Sequence, residues 1–268
     1  MERPDAEFRL GEAARDAGYK LLAFDEAGST NDEALSRARG EAADQLWVVA
    51  RRQTSGRGRH GRNWSSPPGN LYASLVLIDP CEVARAPELG FVAGLAVFEA
   101  VHALTGLEHP RLSLKWPNDL LVDQAKCAGI LLEGHRLANG AFALVIGMGV
   151  NVATAPQDLA GTASLATFAA AATAPRLFTL LSDEFAQRLA AFGAAQLFDE
   201  AHFAEWAMRA HGIGSQVRVK LPTGEVKGTF RGLERGRMIV DTQEGRRKLD
   251  AGDLYVMNET EASRPTPS

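Results

Sequence analysis

Apolar and polar positions along the chain fall into two alternating periods. LYASLVLI (71–78) is apolar on both faces, the pattern of a strand covered on each side, and YKLLAF (19–24) and LWVVA (46–50) also read as strands. LSLK opens the stretch 112–135, which breaks at Pro117 and resumes as two short strands around the turn 122–125. Asn139-Gly140 is a strong hairpin signal and joins a strand at 129–135 to one at 141–150. Between these runs the period becomes helical: 7–17, then a helix to about Arg39 whose start at Thr30 and Glu33 has capping-box spacing, then 89–105, almost wholly apolar and closed by Gly106. Two more helices are predicted at 175–192 and 199–209, whereas 152–175 is rich in Ala and Thr and shows no clear period. The pattern predicts an α/β (α+β type) fold, a mixed and mostly antiparallel sheet of four or five strands with helices packed on one face.

After Gly212 and Gly214 the chain changes to short, turn-punctuated strands. This divides it into a domain over 1–211, a barrel-like β module over 212–257 that must lean on the first domain, and a polar tail over 258–268 expected to be disordered.

Composition narrows the class. The 268 residues are 46% hydrophobic and 23% charged, as in an ordinary globular protein. No apolar run reaches membrane-span length and the N-terminus lacks a signal-peptide core, so no membrane is expected. Cys81 and Cys127 have neither metal nor redox spacing, which points to a reduced cytoplasmic compartment. A net charge of −4 argues against a general nucleic-acid binder.

Charge placement is more informative than its sum. Residues 51–70 hold five arginines (51, 52, 57, 59, 62) and no acid, and no Asp or Glu occurs between Asp44 and Asp79. Gly56, Gly58 and Gly61 alternate with the arginines, so backbone N–H groups and guanidinium forks can reach one ligand together, with Trp64 just beyond to stack on it. The loop reads as a mobile cationic lid for an anion. The competing reading is an Arg/Gly segment gripping RNA.

Other residues carry chemical potential singly. Ser29 and Thr30 sit where a strand meets a helix N-terminus and suit a cap or a ligand contact. Lys115-Trp116-Pro117-Asn118-Asp119 gathers a cation, an aromatic, a break and two polar groups. Lys126 enters an apolar strand, where its head either reaches solvent or meets an anion in a cleft. Gly129 suits a bulge or a close ligand, and Gly147-Met148-Gly149 and Asn151 are weak alone. The six histidines show no paired spacing, so no protein-held metal is expected, and no G-x-S-x-G elbow exists.

Together these pieces resemble the biotin protein ligases, biotin–[acetyl-CoA-carboxylase] ligase. Ser29-Thr30-Asn31, Gln53-Thr54-x-Gly56-Arg57-Gly58-Arg59-x-Gly61-Arg62-x-Trp64, Gly69-Asn70-Leu71-Tyr72, Lys115 to Asp119, Lys126-x-x-Gly129-Ile130-Leu131-x-Glu133 and Gly147-x-Gly149-x-Asn151 occur in family order. The resemblance implies an SH3-like C-terminal module, and two half-reactions. MgATP activates biotin as biotinyl-5′-AMP, and the acyl group passes to a lysine of a biotin carboxyl carrier domain. It implies Lys126 and Arg59 as catalytic residues. Ser29, Thr30, Asn31, Gln53, Gly56, Arg57, Gly58, Arg59, Lys126 and Gly129 would bind biotin. Arg57, Arg59, Arg62, Trp64, Asn118, Asp119, Lys126 and Asn151 would serve ATP, with Mg²⁺ held largely by phosphates. The motifs begin too early for the family's N-terminal DNA-binding helix-turn-helix, so a single-function ligase without DNA is expected, and family habit admits a homodimer. The nearest rival is a lipoate or octanoate ligase or transferase of the same fold.

Overall fold

A computed structural model describes residues 7–40, 43–195, 200–250 and 252–257; the tail over 258–268 lies outside them. Seven strands form the main sheet: β1 (Lys20–Ala27), β2 (Leu46–Gln53), β3 (Leu71–Ile78), β4 (Leu112–Lys115), β5 (Asp119–Val122), β6 (Ala125–Arg136) and β7 (Phe142–Val150). Their order is β1-β2-β3-β7-β6-β5-β4, with β1 and β2 parallel and every other pair antiparallel. The mixed sheet is thus as predicted but larger than four or five strands, because the short runs on either side of Pro117 join it as β4 and β5 beside the longer strands.

Strand alternation gives the sheet two unlike faces. Trp47, Val49, Leu75, Leu144 and Ile146 point into the principal core, where α1 (Glu12–Asp16), α3 (Glu88–Thr105) and α4 (Ala174–Ala195) pack. Trp47 meets the edges of Phe178 and Phe185 of α4 at 5.5 and 5.8 Å. The intervening residues Val48, Val76 and Val145 face α2 (Thr30–Gly40), which contributes Ala34 and Ala38. Helices therefore lie on both faces, correcting the one-face expectation: α2 buries only small alanines, so its inward stripe is faint in the sequence. Among the described residues α3 is the one helix apolar and long enough to cross a membrane, and here it is the central core helix.

Two local predictions change. The helix expected over 7–17 shrinks to α1, which begins where Ser182 Oγ accepts the Gly11 N–H at 2.9 Å and the Asp183 carboxylate accepts those of Glu12 and Ala14. The capping box at Thr30 does not form. The Glu33 N–H bonds the Ser29 carbonyl, and the Thr30 hydroxyl donates instead to Gln53. The Gly106 cap and the Asn139-Gly140 turn are as predicted, with φ of 71° and 88° at the glycines.

α5 (Glu200–Met208) leads to a five-stranded antiparallel sheet, ordered β11-β10-β9-β8-β12: β8 (Gln216–Leu221), β9 (Gly224–Glu234), β10 (Arg237–Thr242), β11 (Gly245–Leu249) and β12 (Asp253–Val256). Its apolar residues Val217, Phe230, Met238 and Leu254 belong to the same continuous core as α3, so the module leans on the first domain as its size requires. Trp116 Nε1 donates to the Gly236 carbonyl at 3.3 Å, fixing the β4–β5 turn against it.

Candidate active site

The α2 face of the sheet is open beyond the helix, and there it is floored by glycine. Gly129 and Gly149 are paired across β6 and β7, and a Cβ on either would strike the Trp64 ring, at 3.1 and 2.8 Å. A Cβ on Gly147 would meet Asn31 Oδ1 at 2.3 Å. Missing side chains over three positions leave a cavity of about 220 Å³, lined by the loop after β2, the start of α2, and β5, β6 and β7. Trp64 lies across this floor with its Nε1 buried and without a hydrogen-bond partner among the described residues. The cavity thus offers a flat apolar wall and an unused donor.

At the α2 end the cavity is polar and fully organised. Gln53 Oε1 accepts the Thr30 N–H at 2.9 Å and the Thr30 hydroxyl at 3.1 Å, while Gln53 Nε2 donates to Ser66. Ser74 Oγ, on the same face of β3, lies 2.7 Å from Thr30 Oγ1 and 2.6 Å from Asn31 Oδ1. Ser29, Thr30 and Asn31 are buried, so these dipoles are fixed before any ligand arrives.

Lys126 owes its position to a bulge. In β5–β6 pairing Leu120 faces Ala128 but Leu121 faces Lys126, so Cys127 is an extra residue. Cys127 and Ala128 both turn into the core, and Lys126, which strict alternation would send there too, emerges on the site face. Its Nζ lies 2.6 Å from Asp119 Oδ1 and 5.4 Å from the centre of the Trp64 ring. Of the two readings of this lysine, the structure shows the cleft. Burial pushes the Cys127 thiol up to about 12, so it is inert packing.

The arginine loop folds back on itself. Arg57 bridges to Asn63, the Gly58 N–H bonds the Arg62 carbonyl at 2.8 Å, and His60 turns the corner at φ 57°. Arg57 forks onto Asp32 at 2.5 and 2.7 Å; that hydrogen bonding holds the Asp32 carboxyl below the usual carboxylate range. Arg59 donates to Asn118 Oδ1 at 3.0 Å, and Arg62 to Asp253 of β12 at 2.8 Å. Burial is the largest influence and pushes the Asp253 carboxyl up, but the bond from Arg62 together with the positive charges of Arg62 and Arg59 outweighs it and the carboxyl is held low.

Residues 152–163, without a clear period in the sequence, close the last side. Asn70, buried, accepts the N–H groups of Ala153 and Thr154 and donates to the Thr154 carbonyl. The Lys126 backbone pairs with Gly161 and Ala163, which brings Pro156, Leu159 and Thr162 to the cavity wall.

Every predicted site residue except one lines this cavity: Ser29, Thr30, Asn31, Gln53, Arg57, Gly58, Arg59, Arg62, Trp64, Asn118, Asp119, Lys126, Gly129 and Asn151. Gly56 lies outside the lining. A Cβ there would strike Ser66 Oγ at 2.5 Å and the Trp64 carbonyl at 2.6 Å, so its service is to the loop's own packing. Sequence reasoning missed Asp253, Asp32 and the wall at 156–162, none of which sits in an unusual local pattern. Among the described residues no three His, Cys, Asp or Glu side chains gather as a metal set.

The Biotin/lipoate A/B protein ligase family matches residues 27–151, and the Biotin protein ligase C terminal domain family matches 212–257. A biotin–[acetyl-CoA-carboxylase] ligase of Paracoccus denitrificans is 37% identical over 234 residues, 85% of this chain and 96% of the relative. Its counterpart from Mycobacterium tuberculosis is 34% identical over 239 residues, 85% of this chain and 86% of the relative. Among solved structures, the biotin protein ligase of Aquifex aeolicus in complex with biotin and ATP superposes with a TM-score of 0.75 at 26% identity, covering 90% of this chain and 99% of that one.

Proposed function

The chain belongs to the biotin protein ligase family, and from that premise we propose which of its residues carry the two half-reactions. It is an AMP-forming biotin–[biotin carboxyl-carrier protein] ligase, which activates biotin as biotinyl-5′-AMP and transfers the acyl group to a lysine of a carrier domain. Residues 1–211 serve as the biotin- and ATP-binding unit and 212–257 as the SH3-like module.

The first step brings a biotin carboxylate oxygen to the α-phosphorus, forming a P–O bond as the α–β bridge breaks and pyrophosphate leaves. Two like unit charges about 4 Å apart repel by roughly 4 kcal/mol at an effective dielectric of about 20. Fixed cations therefore decide the rate. Lys126, lifted onto the glycine floor by its bulge, is the observation that carries this reading: its ammonium is the cation on the floor, next to Trp64. Arg59 and Arg62 extend the positive field along the loop. Thr30, Asn31 and Gln53 present the fixed polar end that suits a ureido ring, and Trp64, Asn118, Asp119 and Asn151 form the nucleotide side. Mg²⁺ enters with the polyphosphate as part of the substrate.

A wider cleft of about 1,070 Å³ lies between α3, α5 and the module and shares Arg59 and Asn118 with the site. Because it opens directly onto Arg59 and Asn118, it is the approach for the carrier lysine, with the carrier domain of acetyl-CoA carboxylase as acceptor. The amine attacks the mixed-anhydride carbonyl and AMP leaves.

The test is pyrophosphate release from MgATP with biotin, lipoate or octanoate and no acceptor. Release with biotin alone, leaving bound adenylate, is expected. Release only with lipoate or octanoate would overturn the substrate while keeping the chemistry.

A further inference from the structure

We propose that Asp32 and Glu133 are positioning residues: through Arg57 they anchor the arginine loop over the cavity, and retention of the acyl adenylate depends on that anchor. The inference rests on the ligase reading for its consequence, though not for its geometry.

Arg57 is where the loop leaves β2 and crosses the site. Its two terminal nitrogens meet both oxygens of Asp32, and Nη2 also lies 3.5 Å from each oxygen of Glu133. Asp32 stands on the first turn of α2 and Glu133 on β6, so one guanidinium ties the loop to two elements at once. Glu133 is itself held, accepting from Asn31 Nδ2 at 2.7 Å, and Asn31 is locked to Ser74. The anchor is thus continuous with the buried network under the cavity. Because Arg57 bridges to Asn63 and the Gly58 N–H bonds the Arg62 carbonyl, fixing Arg57 fixes the other side of the loop.

Charge placement separates anchor from receptor. Arg57 faces two carboxylates and has no net positive charge left for a substrate anion. Arg59 and Arg62 share the single carboxylate of Asp253, at 3.8 and 2.8 Å, and retain one positive charge between them. Neither Asp32 nor Glu133 lines the cavity, so each acts through Arg57 rather than on the substrate. A half-exposed pair of this kind adds little to global stability. Loop opening is a smaller equilibrium, and a tenfold change in it needs only about 1.4 kcal/mol.

Two measurements on the full chain decide the matter. Trypsin cleavage after Arg59 and Arg62 in the ligand-free protein reads the anchor without any ligation chemistry. Asp32→Ala and Glu133→Gln should each speed it severalfold, with about tenfold for Asp32→Ala, at an unchanged melting temperature. Biotinyl-AMP formed in place and chased with excess biotin then reads the consequence. Its dissociation from Asp32→Ala should be about tenfold faster, while first-turnover pyrophosphate release changes less than twofold and Asp32→Glu restores most of the lifetime. The double variant Asp32→Ala/Arg57→Ala should be no worse than the worse single. Unchanged cleavage, or additive effects on the adenylate, would overturn the proposal. Failure of the parent chain to form adenylate would overturn the ligase reading instead, and the cleavage rates would still decide the anchor.

Discussion

Lys126 reaches the site only because Cys127 is inserted as the extra residue of a bulge, so its chemistry depends on one irregular register. On the proposed mechanism its ammonium stands where a carboxylate and a phosphate must meet, and truncation removes that charge stabilisation. Lys126→Ala should therefore slow biotin-dependent pyrophosphate release by on the order of 100-fold or more while melting with the parent; near-normal release would refute the role. The glycine floor permits a second experiment at this scale. A Cβ at Gly149 would sit 2.8 Å from the Trp64 ring, so Gly149→Ala must displace the indole. The expected signature is a blue- or red-shifted Trp emission together with a raised KM for MgATP; unchanged values of both would show that Trp64 does not rest on the floor. Single residues of this site were legible where chemistry was out of place, as with a lysine in an apolar strand. The bulge that explains it was not, since one extra residue leaves no mark on so short a hydrophobic run.

At the scale of elements, strand periodicity located the sheet because alternation separates a face of Trp47, Val49 and Ile146 from a face of Val48, Ser74 and Val145. What periodicity could not tell was which face α2 covers, because alanines give that helix almost no apolar stripe. The ends of elements were set by partners far along the chain. α1 is short because its N-terminus is met by Ser182 and Asp183 of α4, a tie across 171 positions. Ser182 is fully buried, and its Oγ is the acceptor of the Gly11 N–H, so Ser182→Ala leaves a buried donor unmade. The expected cost is about 1–3 kcal/mol, read as a lower midpoint in urea with no change in adenylate formation. A fall in activity at unchanged stability would mean that α1 reaches the site in some way the packing does not reveal.

For the whole molecule, the arginine loop is a strap between two bodies. At one end Arg57 is held by α2 and β6, and at the other Arg62 donates to Asp253, 191 positions later in the module. The sequence showed the loop's charge and the module's existence, but no local pattern could pair residues so far apart; only the shared core that seats the module brings Asp253 to the cavity. The single contact of Arg62 with Asp253 is weaker than the two-pronged fork of Arg57 on Asp32, and a pair of this kind is worth about 1 kcal/mol, or roughly fivefold in an equilibrium. Asp253→Asn should accordingly raise the KM for MgATP by up to about fivefold with little change in kcat. The same carboxylates fix the pH dependence. Asp32 and Asp253 are both held below the ordinary value of 3.8, so each tie is fully present above about pH 4 and is lost as pH falls through the lowered native value. Between pH 5 and 8 both remain ionised and the strap is constant. The dissociation rate of bound biotinyl-AMP should then be flat across that range and rise only in acid. A step near pH 6 would show that these two aspartates do not control the strap.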